Sequence, residues 1–230
     1  MKCSAKVFFA FAVIFVASWP SFAIDRETLW SKLEFPGSSP GGYIETVKIA
    51  KQNLGLVEEI LFLSDMQRDN GPARFCSLSI LRQACEEGLI TQEHFFDVCL
   101  RLYGQINSIA HPKRLESSKN QIKGQLANFA EQAHFPLSQQ VSGFSSLSSS
   151  LFAANLIKNQ GLLTSLNQKI ANAQKGLEKK NSAAKSSAVN QVQAAINELN
   201  AQRGKGIAED GYLILSVYCQ NLINKIQNIN

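Results

Sequence analysis

From Leu163 to the end of the chain, apolar residues return at alternating spacings of three and four, and this periodicity decides the fold class. Leu163, Leu166, Ile170, Ala173 and Leu177 form one heptad run. After the polar interval 179–187 the spacing resumes with Ala188, Val192, Ala195 and Leu199. A third run, Tyr212, Leu215, Cys219, Leu222, Ile226 and Ile229, closes the chain. A repeat near 3.5 residues places such side chains along one stripe of a helix, whereas a strand needs alternation by two. Strand alternation of any length is absent. The expected fold is therefore all-α: a disulfide-stapled helical bundle with an extended, coiled-coil-like helical hairpin. Its two antiparallel arms would join near Asn181-Ser182, the alternative being one long helix with a stutter. Gly204-Lys205-Gly206 breaks the pattern before the last helix, which is expected to belong to the core.

The first 23 residues read as a secretory leader. Lys2 and Lys6 flank the start of the apolar run Val7–Val16, Pro20 breaks it, and Ser21-Phe22-Ala23 sets small residues at −3 and −1 of a cleavage site. The run falls short of the ~20 residues a spanning helix needs. Cleavage after Ala23 is expected, with export through the general secretory route to the periplasm or the extracellular space. Two regions follow: 24–135, helical, with a helix–turn–helix unit at 74–110, and 136–230, comprising a Ser-rich segment, the hairpin and the C-terminal core helix.

Local signals place the helices of the first region. Asp25 is an N-cap for a short helix through Leu29, Trp30 and Leu33, and Phe35–Gly42 is a Pro/Gly loop. A longer helix is expected from Tyr43 to Met66, with Ile44, Val47, Ala50, Leu54, Val57 and Leu61 on one face. In the unit at 74–110, Gly88 suits a left-handed C′ position and Thr91 an N-cap, with Glu93 in the following first turn. Pro112 suits a helix N1 position, and Leu115, Ile122, Leu126, Phe129 and Ala133 make the next apolar stripe. Seven of the residues 138–150 are Ser, and no Asp, Glu, Lys or Arg occurs from Gln132 to Ile157. Phe144, Leu147 and Leu151 keep helical spacing there. The serines and the amides Gln139 and Gln140 make the segment too polar to span a bilayer.

Four cysteines follow the leader: Cys76, Cys85, Cys99 and Cys219. An even count in an exported chain points to two disulfides. Cys76 and Cys85 are ~13 Å apart along one helix and cannot pair. The remaining options are Cys76–Cys99 with Cys85–Cys219, or Cys85–Cys99 with Cys76–Cys219. Spacings of this kind suit neither a zinc site nor a redox C-x-x-C motif, so no metal and no cofactor is expected.

No catalytic constellation stands out. The sequence has no H-E-x-x-H, G-x-S-x-G, P-loop or G-x-G-x-x-G. His94 shares a helix face with Asp97, an arrangement that orients an imidazole or supplies half a metal site, while His111 and His134 sit at helix ends. The adjacent pairs Glu58-Glu59 and Glu86-Glu87 point in different directions on a helix and make poor acid–base partners. Charge is uneven: residues 24–110 hold 8 Lys or Arg against 12 Asp or Glu, and residues 111–230 hold 13 against 6. The basic half allows weak contact with anionic surfaces, but no aromatic residues interleave with its lysines, so nucleic acid is not an expected partner.

These features describe an exported, non-enzymatic helical interaction protein: an envelope-assembly subunit, a periplasmic adaptor or a secreted host-facing factor. Its partners would be proteins, or further copies in a homo-oligomer, met through helical seams. Phe144, Leu147, Leu151, Leu163, Leu166, Ile170 and Leu177 are the candidate interaction face. The alternative is a membrane-active helical protein working through 132–157, and the third reading is a hydrolase.

Overall fold

A computed structural model describes residues 24–35, 40–63, 71–107, 112–132, 135–179 and 182–228. Residues 1–23, where a leader is expected, and His111, His134, Asn181 and Ile229 lie outside the described residues. Among the described residues every regular element is an α-helix, so the all-α expectation holds.

Four helices form the first layer: α1 (Arg26–Glu34), α2 (Pro40–Gln52), α3 (Leu54–Leu63) and α4 (Gly71–Glu86). Asp25 caps α1 by accepting from the Thr28 backbone N–H at 2.9 Å. Leu29, Trp30 and Leu33 then face α3 and α4. The single helix expected over 43–66 is instead two. Asn53 interrupts it by donating from Nδ2 to the Ile49 carbonyl at 2.9 Å, a side-chain bond that competes with the helical ladder. Val47, Ala50, Val57 and Leu61 are buried as anticipated, but Ile44 is exposed.

The α4–α5 turn follows its local signals. Gly88 has φ +74°, Leu89 N–H bonds back to the Ala84 carbonyl at 2.8 Å, and Thr91 Oγ1 accepts from His94 N–H at 3.1 Å. Beyond it run α5 (Gln92–Asn107), α6 (Pro112–Ala127) and the short α7 (Phe129–Gln132). The rings of Phe95, Phe96, Phe129 and Phe135 cluster where these elements meet, with Phe96 edge-on to Phe129 at 4.8 Å.

The C-terminal half closes a ring of four helices: α8 (Leu137–Ala153), α9 (Gln160–Leu177), α10 (Ser182–Gln202) and α11 (Glu209–Gln227). Each packs on the next, and α11 returns to α8. Polar contacts fix the antiparallel directions. Ser148 Oγ donates to Asn167 Oδ1 at 2.8 Å between α8 and α9, and Lys169 meets Glu198 at 2.7 Å between α9 and α10. Tyr212 O–H donates to Asn200 Oδ1 at 2.7 Å between α10 and α11, and Tyr218 O–H to the Gln140 carbonyl at 2.7 Å between α11 and α8. The hairpin is thus two antiparallel arms, as one of the two expectations had it, and it lies against α8 and α11. Gly176 lets its arms approach: a Cβ there would stand 3.3 Å from the Ala184 carbonyl and 3.6 Å from the Ala188 methyl.

The two loops at the opposite end of the ring clamp each other. Lys158 N–H donates to the Gly206 carbonyl at 2.8 Å and Ala208 N–H to the Leu156 carbonyl at 2.9 Å, with Ile157 and Ile207 fully buried between them. The last helix is core, as its seam requires: Leu215, Cys219, Leu222 and Ile226 are buried, joined by Ile214, Tyr218 and Ile223. Each aliphatic side chain of this kind contributes about 1.5–3 kcal/mol. At the head of α11, Asp210 accepts from the Tyr103 hydroxyl and from Lys123 Nζ at 3.0 Å, tying the bundle to α5 and α6.

The disulfide staple is not there. All four cysteines are free thiols, Cys76 half-buried and the others buried, with no pair at bonding distance. Packing explains why the cross-chain pairings fail. Cys219 sits on α11, which faces α6, α7, α8 and α10, whereas Cys76 and Cys85 sit on α4, which faces α1, α2, α3 and α5. Cys85 and Cys99, on the neighbouring helices α4 and α5, are likewise unbonded. Apolar burial replaces the staple as the means of holding these helices.

Candidate interaction surface

The anticipated interaction face is turned inward. Phe144, Leu147, Leu151 and Leu166 have no exposed surface, Leu163 and Ile170 are buried, and Leu177 is half-buried against the core. The ring of α8–α11 forms by closing on these residues, so the seam joins the chain to itself. None of the described helices is long and apolar enough to cross a membrane.

Through the middle of its helices the ring shows outward a surface almost without charge. Its charges gather toward the ends: Lys175 and Glu178 at the end of α9, Lys185 near the start of α10, Glu209 and Asp210 at the start of α11 and Lys225 near its end. On α8 the exposed stripe is Ser138, Ser142 and Ser149; on α9 it is Thr164, Gln168 and Asn172. On α10 it is Ser186, Asn190, Gln193, Asn197 and Asn200, and on α11 Leu213, Val217, Gln220 and Asn224. Three of the four stripes carry the same i, i+4 amide pair: Gln168–Asn172 at 3.0 Å, Gln193–Asn197 at 3.2 Å and Gln220–Asn224 at 3.3 Å. These bonds hold the amides along the helix and leave other lone pairs and N–H groups for a partner. From Ser186 to Gln202 the sole charged residue is Glu198, which Lys169 and Ser165 engage; from Gly211 to Asn224 there is none. Leu213 and Val217 are 41% and 39% exposed, among the more exposed large apolar side chains of the described residues. The first layer has its own, Phe35 and Ile44 at 76% and 66%, near α1 and α2. Heptad reasoning located the inner faces; the absence of charge from Gln132 to Ile157 marked the outer face of α8, and the same signal, polar residues without charge, runs along α10 and α11.

His94 has a different setting. Its Nε2 lies 2.5 Å from Glu58 Oε1, on α3; Glu58 also faces Arg101 at 3.7 Å, and Arg101 Nε bonds Asp97 at 3.1 Å. The Arg101 guanidinium stacks 4.9 Å from the Phe62 ring. Glu59 turns away to Arg26 at 2.8 Å, as neighbours on a helix should. The cleft beside this cluster, about 430 Å³, is lined by Thr91, Glu93, His94 and Asp97 of the α5 end and Ser149, Ser150 and Ala153 of α8. A carboxylate-held imidazole can pass a proton through its other nitrogen. The hydrogen bonds of His94, however, run to Glu58 and Thr91 and reach neither serine across the cleft. Among the described residues no three His, Cys, Asp or Glu side chains converge to hold a metal ion.

The cysteines are poorly disposed to react. Burial pushes the Cys85 thiol up to about 12, with the Glu86 carboxylate adding to the effect. Burial raises Cys99, Cys219 and Cys76 as well. Compared with known proteins, the chain matches no family model, no curated protein and no solved structure.

Proposed function

We propose that this is an exported, non-enzymatic helical interaction protein whose docking surface is the uncharged outer face of the α8–α11 ring. The observation that carries the reading is the run of amide and hydroxyl stripes on that face. A protein surface is normally studded with charges that keep it soluble and apart from its neighbours. Uncharged amides beside Leu213 and Val217 shed water at far lower cost than Lys or Glu would, and form hydrogen bonds with another backbone or side chain. The heptad spacing of the two arms further supports a left-handed supercoil in the hairpin. The leader at 1–23 supports export, and an envelope subunit, adaptor or secreted factor would use such a face alike. The interaction reading is preferred to the membrane-active one through 132–157 because the large apolar side chains of that segment, Phe144, Leu147 and Leu151, are buried within the ring.

The test is site-specific photo-crosslinking in the producing cells. A photoreactive residue replaces Gln168, Gln193 or Gln220 on the ring, or Glu27 on α1 as a control. Crosslinks from the ring positions and not from position 27 are expected. Crosslinks of equal yield from position 27, or none from the ring, would overturn the reading.

A further inference from the structure

We infer that the face made by α10 and its neighbour α11 docks a second copy of this chain, an inference that rests on the interaction reading above and names its partner. Charge decides where two identical molecules can meet. Residues 111–230 hold 13 Lys or Arg against 6 Asp or Glu, so most approaches through this half set like charge against like. Between Lys185 near the start of α10 and Arg203 just past its end, that repulsion falls away. The sole charge between Ser186 and Gln202 is Glu198, already neutralised by Lys169 at 2.7 Å, and α11 adds none from Gly211 to Asn224.

The chemistry of the face complements itself. Asn190, Gln193 and Asn197 each carry both donor and acceptor, so an amide meeting an amide of the other copy is satisfied in either direction. A face of carboxylates or ammonium groups could not do this. Apolar groups accompany the amides: Leu213 and Val217 are exposed on α11, while Val189 and Ile196 of α10 pack half-buried against the chain's own core. The exposed Ser186, Asn190, Gln193 and Asn197 recur at spacings of four, three and four, the period with which one helix lies along another, and polar residues inside such a seam fix its register. A two-fold axis would bring the same patch of both copies together.

The size is adequate. The 17 residues from Ser186 to Gln202 span about 26 Å, and two helices side by side are about 20 Å across. That gives about 500 Å² per copy, or roughly 1,000 Å² in total, the least that a specific interface buries. A reversible, micromolar association is the expected strength.

Sedimentation velocity on the chain as its host releases it, from about 1 to 100 µM, reads this directly. A concentration-dependent monomer–dimer equilibrium is expected. The double substitution Gln193→Lys with Asn197→Lys should weaken it on the order of a hundredfold by setting lysines against lysines. Gln193→Glu with Asn197→Glu should do the same, and an equimolar mixture of the two variants should recover the dimer. Gln52→Lys, exposed on α2 and away from the ring, should leave association unchanged. All the substituted positions are exposed, and a circular dichroism melt confirms that each variant folds. A monomer throughout the range, a dimer indifferent to the lysine pair, or a mixture that fails to re-associate would overturn the inference. A monomer that still crosslinks to another protein through position 193 would sink this inference while leaving the interaction reading intact.

Discussion

Two glycine-to-alanine substitutions, chemically identical, should move stability in opposite directions. Gly211 lies in the first turn of α11 under the α8–α9 loop. A Cβ there would stand 2.8 Å from the Leu156 carbonyl oxygen and 3.2 Å from both Ile207 Cγ1 and Leu156 Cβ. The nearest atom is backbone, and that same carbonyl accepts the 2.9 Å bond from Ala208 N–H that helps to clamp the two loops. It cannot retreat without stretching the clamp. Overpacking of this kind costs about 1–3 kcal/mol, and a weakened buried hydrogen bond lies within the same range. Gly104 is exposed in the interior of α5, with nothing within 4 Å of a Cβ. Alanine there gains about 0.5–1 kcal/mol from lower backbone entropy in the unfolded chain. At roughly 2–4 °C per kcal/mol for a chain of this size, Gly104→Ala should raise Tm by about 1–4 °C and Gly211→Ala lower it by about 2–12 °C. Thermal unfolding followed by circular dichroism at one scan rate reads both. A Gly211→Ala variant as stable as the parent, or the two Tm values moving together, would refute the close approach of α11 to the Leu156 loop.

Three further outcomes follow from the packing. A chain ending at Lys205 removes the buried face of α11 and should be recovered aggregated or without a cooperative melt; export and melting like the full chain would show that α11 is not core. Asp210 is partly desolvated, which favours its neutral form, but hydrogen bonds from Tyr103 and Lys123 outweigh this and hold its carboxyl below the usual range. Its contribution is therefore present above the unfolded carboxylate pKa of ~3.9 and lost as pH falls through the folded value, so the Tm gap between parent and Asp210→Asn should be widest near neutrality and close in acid. A gap that stays constant from about pH 7 to pH 2.5 would rule that out. Maleimide at neutral pH should label Cys76 first and the buried Cys85, Cys99 and Cys219 slowly, whereas denaturation without reductant should expose all four thiols to mass-spectrometric counting. Fewer than four labelled cysteines after denaturation would restore a disulfide.

The sequence by itself determined the helices, several of their ends and the burial of the last one. Asp25, Gly88 and Thr91 act within three to five residues of their partners, so capping chemistry was legible without knowing anything farther away. Heptad spacing likewise located the inward stripes of α9, α10 and α11. Spacing says which side of a helix is buried but not what covers it, and there the tertiary structure decided. Leu163, Leu166 and Ile170 read equally well as a seam for a partner or for the chain's own core. Only the closing of α8–α11 into a ring assigned them to the core and left the uncharged stripes outside. Glu58 reaches His94 across 36 residues of sequence, and Tyr218 reaches the Gln140 carbonyl across 78. No local pattern encodes such distances. The cysteines show the same limit: an even count after an expected leader suggested pairing, but a disulfide needs specific Cα and Cβ geometry, and the placement of α4 and α11 on different neighbours withholds it from Cys85 and Cys219. Hydrogen bonds within a helix are decided by adjacent residues, whereas the partner of each helical face is decided by how every face in the chain is buried at once.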